Sequence, residues 1–320
     1  MKNILITSAG RRVELVQAFK AQAAALVPGC HVIATDYLPA FSAACHVADF
    51  SERTPLVTDK DYPSFLLELC LQKKIGLVVP TIDTELLVLA ACCNLFQKHG
   101  IHIVVSSSEL IAQCRDKRET GTLFNVQNIR YPKIYQRDAL QFPCFTKPYN
   151  GSCSIGARVI SNIDSLPAEL LQDPLMMFME LIDKSYSEYT VDAYYNRNGH
   201  LRCLVPRKRL EVRAGEVSKG VTRRNGVYEF LLEHLKCLSG AVGCLTVQIF
   251  ANESTNDYVG LEINPRFGGG FPLSYAAGAI FPGWLIKEYL LGEEIAFFDG
   301  WESNLMMLRY DAKVLVHNAI

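Results

Sequence analysis

Short apolar runs alternate with amphipathic stretches along the first hundred residues of the chain. In residues 11–26 the apolar positions recur every three or four residues, the spacing of a helix with one buried face. The pattern predicts strands over 3–7, 30–35, 76–79 and 101–105, and helices over 11–26, 62–72 and 83–97. We expect Asp83 or Thr84 to cap the last of these helices. This alternation predicts a parallel α/β sheet with helices on both faces.

The pattern changes near residue 115, where longer alternating strands begin to outnumber helices. Up to residue 181 it predicts helices over 116–124 and 165–172, with strands over 142–147, 157–161 and 175–181. Beyond that it predicts strands over 188–196, 201–207, 217–222, 245–252 and 257–264, with helices over 226–238 and 283–291. Asn196 to Gly199 form a predicted hairpin turn, because asparagine and glycine tolerate a positive φ. The fold class is therefore α/β, with an α+β C-terminal part.

Composition narrows the class of protein without identifying it. The chain has 320 residues, a net charge of −1 and 49% hydrophobic residues, so we expect neither a nucleic-acid partner nor a membrane partner. The longest apolar run, Leu86 to Cys93, has eight residues, too few for a membrane span. The eleven cysteines include no CxxC pair, and free buried thiols are typical of the cytoplasm, which is the expected location.

A glycine- and serine-rich loop follows a lysine between residues 145 and 157. Small residues let backbone N–H groups approach a polyphosphate, and Lys147 would supply a positive charge beside it. The segment is not a Walker A loop, because no GxxxxGK[ST] occurs. An ordinary hairpin loop is the alternative. Cys153 lies in this loop and is interpreted as a small tolerated side chain; a redox role is left open.

Two glutamates flank the next predicted strand boundary. Glu180 ends a buried strand and begins the segment Glu180-Leu181-Ile182, and Glu188 follows eight positions later. Such a segment suits the edge of an adenine base, with a carboxylate for ribose hydroxyls. Glutamates at strand ends are more often simply solvated, which is the competing interpretation.

The last two predicted strands carry the strongest chemical signal. Glu262 and Asn264 are two residues apart and share one face of a strand, and Gln248 can reach that face from the neighbouring strand. All three offer hard oxygen ligands, which suit Mg²⁺. Arg266 lies just beyond and could hold a transferring phosphoryl group. A polar strand end with an Asn-Pro turn is the alternative.

Taken in order, these segments resemble the ATP-grasp superfamily, and within it ligases similar to the large subunit of carbamoyl phosphate synthase. The stretch Cys114 to Lys117 resembles the entry into the family's small ATP-binding lobe. The resemblance implies a Rossmann-like pre-ATP-grasp domain over 1–112, a small lobe over 113–185 and a C-terminal lobe over 186–320. It also implies dimers, which are common among relatives.

The resemblance assigns roles to particular residues of this chain. It implies that ATP is bound by Lys117, Lys147, Gly151, Ser152, Ser154, Gly156, Glu180, Leu181, Ile182 and Glu188. It implies that Mg²⁺ or Mn²⁺, as two ions, is held by Gln248, Glu262 and Asn264. Catalysis would rest on Arg266 and Lys147.

The chain departs from the family after Arg266, where Phe267-Gly268-Gly269-Gly270 differs from the carboxylases and carbamoyl phosphate synthases. We therefore expect a stand-alone ligase that activates a carboxylate as an acylphosphate, which an amine (or thiol) then captures. ADP and phosphate would be released. Carboxyphosphate or carbamate chemistry and a non-catalytic ATP sensor are the alternatives. A nicotinamide dehydrogenase is disfavoured, since the first turn lacks GxGxxG.

Candidate substrate-binding residues are more widely scattered. Arg207, Arg209 and Arg213 would share one face if their segment is extended. Nucleic-acid binding and a solvated strand are alternatives for this basic segment. Loops at the carboxyl ends of parallel strands commonly hold ligands, which adds Ser8, Arg11, Asp83 and Glu85. The expected partners are a small carboxylate and an amine or amino acid.

Overall fold

A computed structural model describes residues 2–151, 155–213 and 215–317. The N-terminal part forms a five-stranded parallel sheet of order β3-β2-β1-β4-β5. Its strands are β1 Asn3–Thr7, β2 Val32–Asp36, β3 Phe50–Arg53, β4 Ile75–Pro80 and β5 His102–Ile103. Its helices are α1 Val13–Leu26, α2 Ala43–Val47, α3 Tyr62–Gln72 and α4 Asp83–Lys98. The predicted parallel α/β sheet is confirmed.

Two further helices and a small antiparallel sheet follow. The helices are α5 Ser108–Arg115 and α6 Lys117–Val126. A third helix, α7 Ala168–Gln172, connects two strands of the sheet along the chain. The sheet has the order β6-β9-β7-β8 and consists of β6 Ile134–Tyr135, β7 Cys144–Pro148, β8 Arg158–Ile160 and β9 Met176–Glu180. The helix expected over 116–124 is confirmed as α6, but α5 before it was not expected. Asp116 separates two helices there, accepting a hydrogen bond from the Arg118 N–H as the N-cap of the second.

The C-terminal part is a six-stranded antiparallel sheet of order β14-β13-β10-β11-β12-β15. Its strands are β10 Ser187–Tyr195, β11 Leu201–Arg213, β12 Glu216–Thr222, β13 Gly243–Asn252, β14 Asp257–Asn264 and β15 Met306–Leu308. The helices are α8 Gly226–His234, α9 Phe271–Ala276 and α10 Phe281–Leu290. No helix in the described ranges is long and apolar enough to cross a membrane.

The C-terminal helices pack back onto the first sheet, so that one hydrophobic core spans both parts. Phe19 of α1 meets Phe267 edge-on, with ring centroids 6.1 Å apart. The Gln22 amide donates to the Tyr275 hydroxyl at 3.0 Å. These contacts fix the end of β14 against the carboxyl ends of β1 and β4.

Glu85 joins the two loops at that edge of the parallel sheet. It is fully buried, and its carboxylate accepts hydrogen bonds from the Thr81 N–H at 2.7 Å, the Ser8 hydroxyl at 2.9 Å and the Tyr62 hydroxyl at 3.2 Å. Burial raises the pKa of this carboxyl. Helix α4 begins at Asp83 with Ile82 as its N-cap, so the expected capping by Asp83 or Thr84 was wrong.

A buried ion pair organises the large antiparallel sheet. Arg207 on β11 and Asp192 on β10 are both almost completely buried, and the guanidinium donates to both carboxylate oxygens at 2.9 and 3.1 Å. The Ser274 hydroxyl donates to the same carboxylate at 2.6 Å. Both carboxylate oxygens of Asp192 accept hydrogen bonds, and these bonds fix the orientation of the Arg207 guanidinium beside α9.

We predict that Glu85→Ala lowers the free energy of unfolding by about 2–4 kcal/mol, because several buried donors lose their acceptor. Urea denaturation monitored by circular dichroism measures this. The exposed Glu68 on α3 gives the control Glu68→Ala, which should change stability by no more than about 0.5 kcal/mol. Equal effects of the two substitutions would contradict the role of Glu85.

For the buried pair we predict that Asp192→Ala lowers the free energy of unfolding by about 3–5 kcal/mol, since it leaves the buried Arg207 guanidinium without a counter-ion. The double variant Asp192→Leu with Arg207→Met should recover most of that loss. Urea denaturation of both variants tests the coupling. A double variant no more stable than Asp192→Ala would show that the pair is not the cause.

Candidate functional site

A cavity of about 880 Å³ lies where the three sheets meet. Its walls combine the loops at the carboxyl end of the parallel sheet, the small sheet and one face of the large sheet. Among its lining residues are Asp83, Lys117, Lys147, Gly151, Glu180, Leu181, Ile182, Glu188, Arg207, Arg209, Gln248, Glu262, Asn264 and Arg266. Most of the residues singled out in the sequence are thus brought to one space.

Strand register explains why the polar side chains share a face. Gln248 lies directly opposite Glu262, and Thr190 lies opposite both Gln248 and Arg207. Residues opposite one another in a sheet project to the same side. The cavity face of the large sheet is therefore polar over four adjacent strands, whereas Ile263 on the other face is buried in the core.

Glu262 is the centre of a small hydrogen-bonded cluster. One of its carboxylate oxygens accepts from the Gln248 amide at 2.9 Å and from the Asn264 amide at 3.0 Å. Among the described residues no group of three or more His, Cys, Asp or Glu side chains could hold a metal. The cluster offers one carboxylate and two amides, whose oxygens are hard ligands that fit a magnesium-type ion.

Two lysines line the cavity with this cluster, one from the small sheet and one from helix α6. Lys147 on β7 is 8% exposed, and burial lowers the pKa of its ammonium to about 8, with Glu262 opposing the shift and Lys117 adding to it. Lys117, the first residue of α6, donates to the Gly151 carbonyl at 2.5 Å. Burial also lowers the pKa of Lys117. Neither ammonium forms an ion pair within the described chain.

The loop after β7 is described only in part. Gly151 and Ile155 line the cavity, and Gly156 has a φ of +76°, a conformation that favours glycine. The expectations for Ser152, Cys153 and Ser154 lie outside the described residues.

The two glutamates of the next segment are already paired. The Glu180 carboxylate accepts from the Lys133 N–H at 3.1 Å and forms an ion pair with Arg130. Glu188 forms an ion pair with Arg209. Burial raises the pKa of Glu188 although Arg209 acts to lower it. Both residues line the cavity, and their side chains are 29% and 27% exposed, so neither glutamate is simply solvated.

Arg266 bridges the large sheet and the parallel sheet. Its guanidinium contacts the Asp83 carboxylate at 2.6 Å and donates to the Phe267 carbonyl at 3.1 Å. Its Nε is buried and has no hydrogen-bond partner among the described residues. Asp83 therefore lies in the site through this ion pair and not as a helix cap.

The expected common face of three arginines is only partly present. Arg207 and Arg209 line the cavity, but the strand register shifts between Arg209 and Glu211. After this bulge Val212 lines the cavity instead, and Arg213 is exposed and pairs with Asp311. A bulge reverses the side-chain alternation, which strict alternation along the sequence could not predict.

Three of the loop residues expected to bind substrate do not line the cavity. Ser8 and Glu85 hydrogen-bond to each other at 2.9 Å and fix the loops. Arg11 is 72% exposed and forms an ion pair with Glu216 at 2.8 Å. The structure corrects these expectations, because the turn after β1 directs the neighbouring Arg12 into the cavity instead.

The glycine run after Phe267 is explained by crowding. A Cβ at Gly268 would lie 2.8 Å from Thr246, one at Gly269 2.8 Å from Glu216, and one at Gly270 2.1 Å from Arg207. The run lets backbone approach three polar side chains of the cavity wall. Thr246 and Glu216 were missed in the sequence because each is an isolated polar residue, and Arg12 was passed over in favour of the adjacent Arg11.

Two family models match separate parts of the chain. Residues 4–104 match the model described as "PylC-like, N-terminal domain". Residues 172–306 match the model described as "ATP-grasp in the biosynthetic pathway with Ter operon". A search of curated protein sequences found no match.

Solved structures share the whole architecture at low sequence identity. The biotin carboxylase domain of Hydrogenobacter thermophilus 2-oxoglutarate carboxylase has a TM-score of 0.74 at 12% identity, over 96% of this chain and 73% of that chain. An L-amino acid ligase from Bacillus licheniformis has a TM-score of 0.68 at 14% identity, over 91% and 74%. N5-carboxyaminoimidazole synthetase from Staphylococcus aureus, complexed with ADP, has a TM-score of 0.67 at 16% identity, over 87% and 74%. With the two family models, this common fold identifies the chain as a member of the ATP-grasp superfamily.

Proposed function

We propose that this protein is an ATP-dependent ligase that joins a carboxylate to an amine (or thiol) through an acylphosphate, releasing ADP and phosphate. The observation that carries the proposal is that two lysines without ion-pair partners in the described chain share one cavity with the Glu262 cluster. Lysines without carboxylate partners in a half-enclosed space suit a polyphosphate. Structural neighbours bind ADP, and some are ligases.

The nucleotide would lie between the small and large sheets. Lys117 and Lys147 would hold phosphate oxygens, and the loop with Gly151 and Gly156 would cover them, with Ser152 and Ser154 contributing from the same loop. The segment Glu180–Ile182 would meet the adenine, and Glu188 the ribose. The pairing of Glu188 with Arg209 sets the orientation of that carboxylate. We place the lobe boundaries at 112 and 185, as the resemblance implies.

Glu262, Asn264 and Gln248 would hold magnesium, which neutralises charge on the phosphate oxygens when bound. We propose two ions, as the resemblance implies. Lys147 would be the counter-charge nearest the phosphates, and the charge of Glu262 already favours its protonated form in the free protein.

Phosphoryl transfer leaves little covalent chemistry for the protein, so positioning and charge stabilisation dominate. Arg266 would stabilise the moving phosphoryl charge, and its contact with Asp83 at 2.6 Å holds it at the end of β14. The substrates would be a small carboxylate and an amine or amino acid. A cytoplasmic homodimer is the proposed setting.

We predict that Mg-ATP hydrolysis to ADP and phosphate depends on a specific substrate pair, and that Glu262→Gln lowers its rate by about 10²–10³-fold. Phosphate release is measured across pooled carboxylic acids and amino acids. Glu233→Gln is the matched control, since Glu233 is exposed on α8 of the same lobe. ATP binding that no pool converts to phosphate release would favour the ATP sensor, and absent ATP binding would refute the proposal.

We further predict that ATP affinity falls as pH rises through about 8, where the Lys147 ammonium loses its proton in the free protein. Below that pH the charged form holds the phosphates. Bound phosphate raises the pKa again, so binding at pH 8 should take up about half a proton. Calorimetry in buffers of different ionisation enthalpy measures this uptake.

The control is Lys147→Arg, because a guanidinium stays charged across this range. Its ATP affinity should lose the dependence on pH near 8, whatever its absolute value. An unchanged pH profile in this variant would assign the titration to another group.

A further inference from the structure

The end of the cavity beside the glycine run is surrounded by arginines, and all but one of them have a carboxylate partner. Arg207 pairs with Asp192, and Arg266 pairs with Asp83. Arg11 pairs with Glu216, and Arg309 pairs with both Glu216 and Glu14. Each of these arginines therefore already has a carboxylate partner within the protein itself.

Arg12 is the exception. It lines the large cavity, yet its side chain makes no hydrogen bond or ion pair to any residue that the structure describes. Burial and the neighbouring Arg266 lower the pKa of its guanidinium, and Glu216 and Asp83 only partly oppose this. A half-buried cation without a partner is energetically unfavourable, so the site is incomplete without an anion.

The backbone around Arg12 is held firmly. The preceding turn has positive φ at both Ser8 and Gly10, and the Gly10 N–H donates to Asp36 at 3.0 Å. The Thr81 hydroxyl donates to the Ser8 carbonyl at 2.7 Å. Arg12 is therefore presented to the cavity by a fixed turn.

We propose that Arg12 binds a carboxylate of the ligase substrate, one that is not itself phosphorylated, so that the substrate is an amino acid or a dicarboxylic acid. This rests on the proposed function for the reaction, but the anion site stands on its own contacts. One uncompensated guanidinium matches one negative charge and can bind a carboxylate with two parallel hydrogen bonds. A phosphate dianion would leave excess negative charge beside Glu216 and Asp83.

The test measures anion binding to the full chain saturated with Mg-ADP, by the rise in melting temperature with ligand concentration. The probes are succinate, L-glutamate and inorganic phosphate, with succinamide as the uncharged match for succinate. Arg12→Gln should weaken binding of at least one carboxylate probe by about 10- to 100-fold, and Arg12→Lys should lie between. Succinamide should not bind.

Arg11→Gln is the matched control. Arg11 is the adjacent residue, it is exposed, and Glu216 keeps Arg309 when Arg11 is lost. Its carboxylate affinity should stay within about twofold of the unsubstituted protein, and circular dichroism shows whether each variant is folded.

Mg-ATP titration of the same proteins separates the two proposals. Equal ATP affinity in Arg12→Gln with loss of carboxylate binding supports a substrate site distinct from the nucleotide. Absent ATP binding would sink the proposed reaction and leave the anion result to decide the role of Arg12. Carboxylate binding that is absent or indifferent to Arg12, or Arg12-dependent binding of phosphate in preference to both carboxylates, would overturn the assignment.

Discussion

The contact between Arg266 and Asp83 determines the geometry of the site, because it joins the end of β14 to the start of α4. Both side chains are mostly buried, at 16% and 22% exposure. A largely buried ion pair contributes little net stability, because desolvation of the two charges offsets their attraction, and the stability at this junction comes from apolar packing such as Phe19 on Phe267. The ion pair instead fixes where the two sheets present their polar groups. Apolar packing therefore stabilises the junction, and the ion pair sets the relative position of the polar groups that line the cavity.

The electrostatics of the cavity divide into satisfied and unsatisfied charges. Arg207 and Arg209 have carboxylate partners and shape the wall. Lys117, Lys147 and Arg12 have none within the described chain, and burial lowers the pKa of each. A buried charge without a partner lowers the stability of the folded protein. The two lysines lie near Glu262, and Arg12 lies near Arg266. These unpaired positive charges indicate two places where anions are expected to bind.

Much of the fold could be predicted from local pattern. The fully buried β4 and the amphipathic α3 were located closely, because their periodicity is set by the core. The short β3, mostly exposed and polar, was missed since it lacks that periodicity. Helix α5 was missed for a different reason, because its eight residues are too few to show a clear helical period.

The site was predictable where residues share a strand and unpredictable where the tertiary fold brings single residues together. Glu262 and Asn264 were found because a spacing of two implies a common face. Arg12 carried no such signal, because the sequence pattern does not distinguish it from its neighbour Arg11. The difference between them arises from the turn at Ser8 and Gly10, whose positive φ values depend on contacts with Thr81 and Asp36. Since those contacts come from separate strands of the parallel sheet, only the folded chain distinguishes the arginine that faces the cavity from the one that faces solvent.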